Sequence, residues 1–306
     1  MDRFFGRGKL LLTGEYAVMD GALALALPVK LGQSLSVRSE PDSRRRIGWK
    51  SYSPDNAPWF EAELDKNFNV LYSDDRPKAE MLRKILISAS LLNPEFLSKP
   101  VRYEITTHLD FNPEYGLGSS STLIHNVSLW AEVDPYELLA ATFGGSGYDI
   151  ACAAASHPVF YQLQNAVPRV EQADFNPDFA DELYFVYLNK KQNSREGIKH
   201  YRELNRADEA FIKKITELTR SISEANSLSE FEQLIEKHES LISSVLDLPD
   251  VKDRLFPDYP GSLKSLGARG GDFILATRRV AETYFPEKGF KTVFPFRALV
   301  KTDSKN

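Results

Sequence analysis

The densest chemistry in the chain lies in the block Gly116-Leu117-Gly118-Ser119-Ser120-Ser121. Leu123, Ile124, Val127 and Trp130 follow at helical spacing, so the block opens a helix. Its glycines let the backbone wrap closely around a ligand. The N–H groups at a helix start, with the positive end of the dipole, suit phosphate oxygens. The three hydroxyls add donors and an oxygen able to bind magnesium. A serine-rich helix cap after a tight turn would use the same residues. Neither a Walker A signature nor a G-x-G-x-x-G fingerprint is present.

A second glycine-rich turn, Gly144-Gly145-Ser146-Gly147, presents Asp149. A carboxylate held beside glycine backbone can take a proton from a substrate hydroxyl, and a helix cap is the plainer alternative. Lys9, at the edge of the apolar run Leu10-Leu11-Leu12, could pair with that carboxylate and keep it ionised. A third turn, Gly267-Ala268-Arg269-Gly270-Gly271, precedes a strand and could be no more than a strand-entry turn. His238 falls in an apolar helical stripe and Cys152 among alanines, so both read as packed residues.

The elements that must position these groups alternate between strand and helix. Leu23, Leu25 and Leu27 alternate with alanines in a strand expected to stop at Pro28. Further strands are expected at 34–40, 47–52, 59–64, 101–107, 183–188 and 273–277, and a helix at 78–92. Arg44-Arg45-Arg46 reads as a solvated hairpin tip. Asp134-Pro135-Tyr136-Glu137 is a helix start, with an Asp cap, Pro at the first helical position and Glu three after the cap. Two long amphipathic helices are expected at 207–225 and 228–246, with Ser229 and Glu232 as a capping box for the second. A domain boundary is expected near 170, giving domains 1–170 and 171–306.

Composition narrows the function. With 38 Lys plus Arg against 43 Asp plus Glu, the net charge of −5 excludes a generally basic nucleic-acid binder. At 42% hydrophobic and 26% charged residues, wholesale disorder is excluded too. The single cysteine, Cys152, rules out an intrachain disulfide and a multi-cysteine zinc site. The longest apolar stretch, 22–29, is strand-length, and the opening residues are too polar for a signal peptide. A cytoplasmic protein with no membrane and no nucleic-acid partner is expected.

Three segments taken together are more specific than any one. Positions 9–21 (Lys-Leu-Leu-Leu-Thr-Gly-Glu-Tyr-Ala-Val-Met-Asp-Gly), the Gly-Leu-Gly-Ser-Ser block and positions 264–272 occur in that order. This arrangement resembles the GHMP kinase superfamily, which includes galactokinase, homoserine kinase, mevalonate kinase and phosphomevalonate kinase. Within it, Tyr16, Tyr115, the run Gly145-Ser146-Gly147-Tyr148-Asp149-Ile150-Ala151 and Gly270-Gly271-Asp272 look most like the phosphomevalonate kinases. Glu114 departs from them, standing where some carry a lysine, and Arg269 replaces a family glycine. The stretch 121–144 is shorter than usual, leaving Glu137 as the nearest candidate for a second magnesium carboxylate, although its cap position explains it without metal.

The resemblance implies an α/β (α+β) two-domain fold, with a ribosomal-protein-S5-like N-terminal domain, a ferredoxin-like C-terminal domain and an active site in the cleft between them. It implies ATP and Mg2+, and phosphoryl transfer to 5-phosphomevalonate. Mevalonate as acceptor and a non-catalytic metabolite sensor are the alternatives. Lys9 and Asp149 would be catalytic. Gly116, Leu117, Gly118, Ser119, Ser120 and Ser121 would hold the nucleotide phosphates, and Ser120 and Glu137 the metal. Glu15, Tyr16, Ser146, Gly147, Lys264, Gly267, Arg269, Gly270 and Ser194 would lie on the acceptor side, with Arg195 beside the last. A homodimer is an open expectation.

Overall fold

The computed structural model describes residues 1–42, 46–191, 194–267 and 272–302. Two compact units interleave along the chain. The first comprises Met1–Gly8, Leu31–Pro113 and Leu117–Ala154, and the second Lys9–Lys30, Glu114–Gly116 and Ala155–Asn306.

Strands β1 (Asp2–Leu11) and β2 (Ala24–Pro41) contribute to both units. The first unit adds β3 (Ile47–Tyr52), β4 (Pro58–Leu64), β5 (Val70–Ser73), α1 (Arg76–Leu92), β6 (Val101–Leu109), α2 (Ser119–Ala131), α3 (Pro135–Thr142) and α4 (Tyr148–Ala154). Its sheet runs β5-β4-β3-β6-β2, antiparallel except for the parallel pair β3 and β6. Alternation puts Leu35, Val37, Ile47, Trp49, Phe60 and Ala62 on one face, where Leu82, Ile85 and Leu86 of α1 and Ile124 and Val127 of α2 cover them. Burying such side chains contributes roughly 1.5–3 kcal/mol each, so this layer holds α2 in place.

The second unit adds β7 (Val159–Gln164), β8 (Val167–Gln172), β9 (Leu183–Tyr187), α5 (Ser194–Leu204), α6 (Glu209–Glu224), α7 (Leu228–Leu246), α8 (Val251–Leu255), β10 (Leu263–Ser265), β11 (Phe273–Thr277), α9 (Ala281–Glu287), β12 (Val293–Pro295) and α10 (Phe296–Leu299). Its four-stranded sheet, β10-β11-β9-β12, is wholly antiparallel. Tyr184, Val186, Ile274 and Ala276 of that sheet pack with Phe256, Tyr259 and Phe285. A second cluster joins Tyr16, Ala17 and Ala22 to Phe211 and Ile215 of α6 and Ile242 and Val245 of α7.

Most expected elements are present, with two corrections. Pro28 does not stop its strand, because β2 runs through it. Residues 24–26 pair with β7 and residues 33–41 with β6, so the missing Pro28 N–H falls between the two ladders. The capping box of α7 lies two residues earlier than expected. Ser227 accepts from Glu230 N–H (3.3 Å), and the Glu230 carboxylate accepts from Asn226 N–H (3.0 Å). Glu232 instead takes Thr277 and Arg278. The cap at Asp134 is as expected, accepting from the N–H groups of Tyr136 and Glu137. Of the arginine run, Arg46 pairs with Glu63 at 2.7 Å, while Arg44 and Arg45 lie outside the described residues. Among the described residues no helix is long and apolar enough to cross a membrane.

Candidate active site

The phosphate-type turn of the first unit has the local geometry its sequence suggests. Gly118 caps α2 in the left-handed region (φ 91°), where a side chain is disfavoured. Glycine brings no side chain to cap the N–H groups of the first turn, and a helix start of this kind suits an anion. Ser120 is exposed. Ser121 is buried and its hydroxyl donates to Gly118 O at 2.8 Å, so it braces the turn. The helix is anchored laterally. Thr122 donates to the Gln33 side chain (3.0 Å) and Asn126 to Gln33 O (2.8 Å). His125, beside them, is buried and held uncharged by loss of solvent.

Asp149 lies in the first turn of α4, after Gly147 (φ 87°), and is half-buried. Its carboxylate accepts from Ile150 N–H at 3.1 Å. Burial, then the neighbouring charges that include Asp149, pushes the Tyr136 hydroxyl up to about 12, so Tyr136 stays a neutral neighbour. Ser146 is half-buried and Gly147 buried in the same turn. Glu137 is exposed on α3 while its N–H completes the Asp134 cap.

In the second unit, Lys9 Nζ donates to Gly116 O at 2.9 Å, two positions before the cap of α2. Asp272 converges on the same glycine. A Cβ on Gly116 would stand 2.5 Å from the Asp272 carboxyl carbon. Tyr115 is wedged against Tyr187 (centroids 4.8 Å) and Phe273 (5.7 Å), which holds this approach to the turn. Glu114 turns an exposed carboxylate toward Lys191 (3.7 Å), and its carbonyl accepts from the Tyr187 hydroxyl (3.0 Å).

Glu15 and Lys264, both expected on the acceptor side, are joined to each other. They are 1% and 0% exposed, and the ammonium donates to Glu15 Oε1, to Ser265 O (3.1 Å) and to Glu239 Oε1 (3.4 Å). Gly14 N–H donates to His238 Nε2 at 3.2 Å, and the same nitrogen stands 3.5 Å from Glu15 Oε2. Two carboxylates face one ammonium, and burial pushes Glu15 above the usual carboxylate range against the pull of Lys264. Tyr16 is nearly buried, its ring stacked on Tyr201 (5.5 Å, 22°).

Gly267 has φ 67°, with no described residue within 4 Å of a Cβ placed there. Arg269 and Gly270 lie outside the described residues. Ser194 begins α5, and its side chain and that of Arg195 lie outside them too. Cys152 is buried. Sequence reasoning missed Glu239, whose only signal was a charge beside His238 on the apolar face of α7, and the approach of Asp272 to Gly116, which left none.

No protein-family model and no curated protein matches the chain. Solved structures do. The chain is similar over 100% of its length, and 97% of the other's, to the L. major mevalonate kinase in complex with R-mevalonate (TM-score 0.68, 15% identity). The Streptococcus pneumoniae phosphomevalonate kinase in complex with phosphomevalonate and AMPPNP matches at TM-score 0.66 and 18% identity, over 95% of this chain and 96% of that one. The Lactococcus lactis galactokinase complexed with galactose matches at TM-score 0.64 and 13% identity, over 98% and 93%. At this identity the likeness establishes the fold alone, which the chain shares with these three kinases over nearly its whole length.

Proposed function

We propose that the protein is an ATP-dependent small-molecule kinase that transfers the γ-phosphoryl group to 5-phosphomevalonate in the mevalonate route to isoprenoids. The observation that carries this reading is the start of α2. Its first-turn N–H groups have no side-chain cap, its cap is a left-handed glycine, and the carbonyl two residues upstream already holds the Lys9 ammonium. Such a start suits nucleotide phosphates, in a fold shared with a kinase solved with phosphomevalonate and AMPPNP.

The roles follow from the chemistry of the groups. Residues 116–121 cradle the β- and γ-phosphates. The exposed Ser120 hydroxyl and Glu137 carboxylate are hard oxygen donors of the kind magnesium takes. They would hold the ion, which supplies positive charge to the phosphates. Lys9 offsets charge on the transferring group. An acceptor phosphate oxygen attacks the γ-phosphorus, and the β–γ bridging oxygen leaves with ADP. Positioning and electrostatics dominate such a step. Because a phosphate acceptor is already anionic near neutral pH, Asp149 chiefly orients it. Mevalonate is the second reading, favoured by the likeness to the kinase solved with R-mevalonate. Asp149 would then remove a hydroxyl proton.

The test is a coupled ADP-release assay with ATP and magnesium, run on 5-phosphomevalonate, mevalonate, homoserine and galactose. Turnover on 5-phosphomevalonate alone supports the first reading and turnover on mevalonate the second. Thermal stabilisation by ATP without turnover on any acceptor refutes both in favour of a sensor.

A further inference from the structure

The segment Gly14-Glu15-Tyr16-Ala17 carries a backbone feature that its sequence does not announce. Tyr16 sits at φ 59°, ψ −49°, and Ala17 N–H donates back to Glu15 O at 2.6 Å. This is the rarer form of γ-turn, with a positive φ at its centre, and it is strained for any L-residue and most of all for a bulky one. Such a conformation persists only where the surroundings over-determine it.

They do so here from both sides. Gly14, at φ 83°, is seated so closely on Ala24 that an added Cβ would lie 2.8 Å from the Ala24 methyl, and its N–H is held by His238. Glu15 is tied to Lys264 of β10, which also faces Glu239 of α7. Beyond Tyr16, Val18 N–H returns to Gly14 O at 2.9 Å. The Tyr16 ring lies on Tyr201, whose hydroxyl donates to Asp20 at 2.6 Å. Gly197 leaves room for the Tyr16 hydroxyl, since a Cβ there would come within 2.6 Å of it.

A fully buried set of two carboxylates, an ammonium and an imidazole is a poor way to gain stability, because well-packed apolar residues often serve as well. Glu15, His238 and Glu239 would make a plausible set of ligands for a cation, but the Lys264 ammonium already supplies the positive charge among them. What the cluster does hold is the backbone on either side of Tyr16. We propose that Glu15, Lys264, Glu239 and His238 form a buried clamp that keeps Tyr16 in its strained turn, so that Glu15 and Lys264 are positioning residues that set acceptor affinity through Tyr16 without touching the acceptor. The acceptor-side place of Tyr16 is the one the family resemblance implies and rests on the kinase reading, whereas the clamp itself does not.

The experiment uses the full chain labelled with 3-fluorotyrosine, with the Tyr16 resonance assigned by Tyr16→Phe. In Glu15→Gln and in His238→Leu the Tyr16 resonance shifts or broadens while that of Tyr103, which belongs to the first unit, stays put. His238→Gln, which can still accept from Gly14 N–H, restores it. In the kinase assay Glu15→Gln raises the acceptor KM roughly tenfold with the ATP KM nearly unchanged. Adding Tyr16→Ala produces no further rise, because both act through one ring. An unmoved Tyr16 resonance in folded Glu15→Gln and His238→Leu overturns the clamp. Additive KM effects overturn the route through Tyr16. If the wild-type protein turns over no acceptor, the kinase reading fails and the fluorine resonances still decide the clamp.

Discussion

Replacing Gly116 by Ala isolates one contact. Gly116, Gly144 and Gly267 all have φ 67°, so an alanine at any of them meets the same left-handed backbone cost, roughly 1–2 kcal/mol. They differ in what the new methyl meets. At 144 and 267 nothing among the described residues lies within 4 Å. At 116 the methyl would stand 2.5 Å from Asp272 Cγ and Oδ1 and 2.6 Å from Oδ2. Asp272 can yield only by turning its side chain, because its backbone is held: its N–H donates to Lys190 O (2.6 Å) and its carbonyl accepts from Leu188 N–H (2.8 Å). Overpacking of this kind costs about 1–3 kcal/mol more. Gly116→Ala should therefore destabilise by about 2–5 kcal/mol, a large part of the 5–15 kcal/mol typical of a folded protein. Gly144→Ala and Gly267→Ala should stay near the lower figure. Urea unfolding at constant slope measures all three. The control is Asp272→Gly, in which Gly116→Ala should cost no more than Gly144→Ala. Equal losses at 116 and 144 in the wild-type background would refute the reasoning.

Further predictions concern charge and capping. Lys9→Met and Asp149→Asn should each lower turnover by roughly 10²–10⁴-fold with the unfolding midpoint little changed; unaltered turnover in both removes them from the site. Glu15 is raised by burial above its ordinary value of 4.5, so its contribution to stability is full below that value and is lost as pH climbs through the folded-state pKa. The facing groups are Lys264, Glu239 and His238. The wild-type minus Glu15→Gln difference in urea midpoint should fall between mildly acidic and neutral pH, and a difference that grows with pH contradicts the sign. Ser227→Ala should cost about 1 kcal/mol by removing the cap of α7. Ser229→Ala should be near neutral, and thermal unfolding of the pair decides which serine caps.

Much of the local structure was legible. The stripe Phe231, Leu234, Ile235, Leu241, Ile242 and Val245 announced α7, Asp134-Pro135 announced α3, and Gly118-Ser119-Ser120-Ser121 announced the start of α2. These depend on interactions spanning four residues or fewer, which periodicity and cap chemistry describe directly. Pro28 misled because its cost depends on which neighbouring strand needs its N–H, and that is settled by pairing distant in sequence. The same limit governs the candidate site. Sequence alone placed Lys9, Glu15, Gly116, Asp149 and Lys264 among the groups worth watching. Only the tertiary structure decided that Lys9 reaches Gly116 across 107 positions and that Glu15 and Lys264, 249 positions apart, are buried against each other. A charged side chain reads the same in sequence whether it meets solvent, substrate or a partner, because what separates those fates is the loss of water and the distance to the opposite charge, and both exist only after the chain has closed around them.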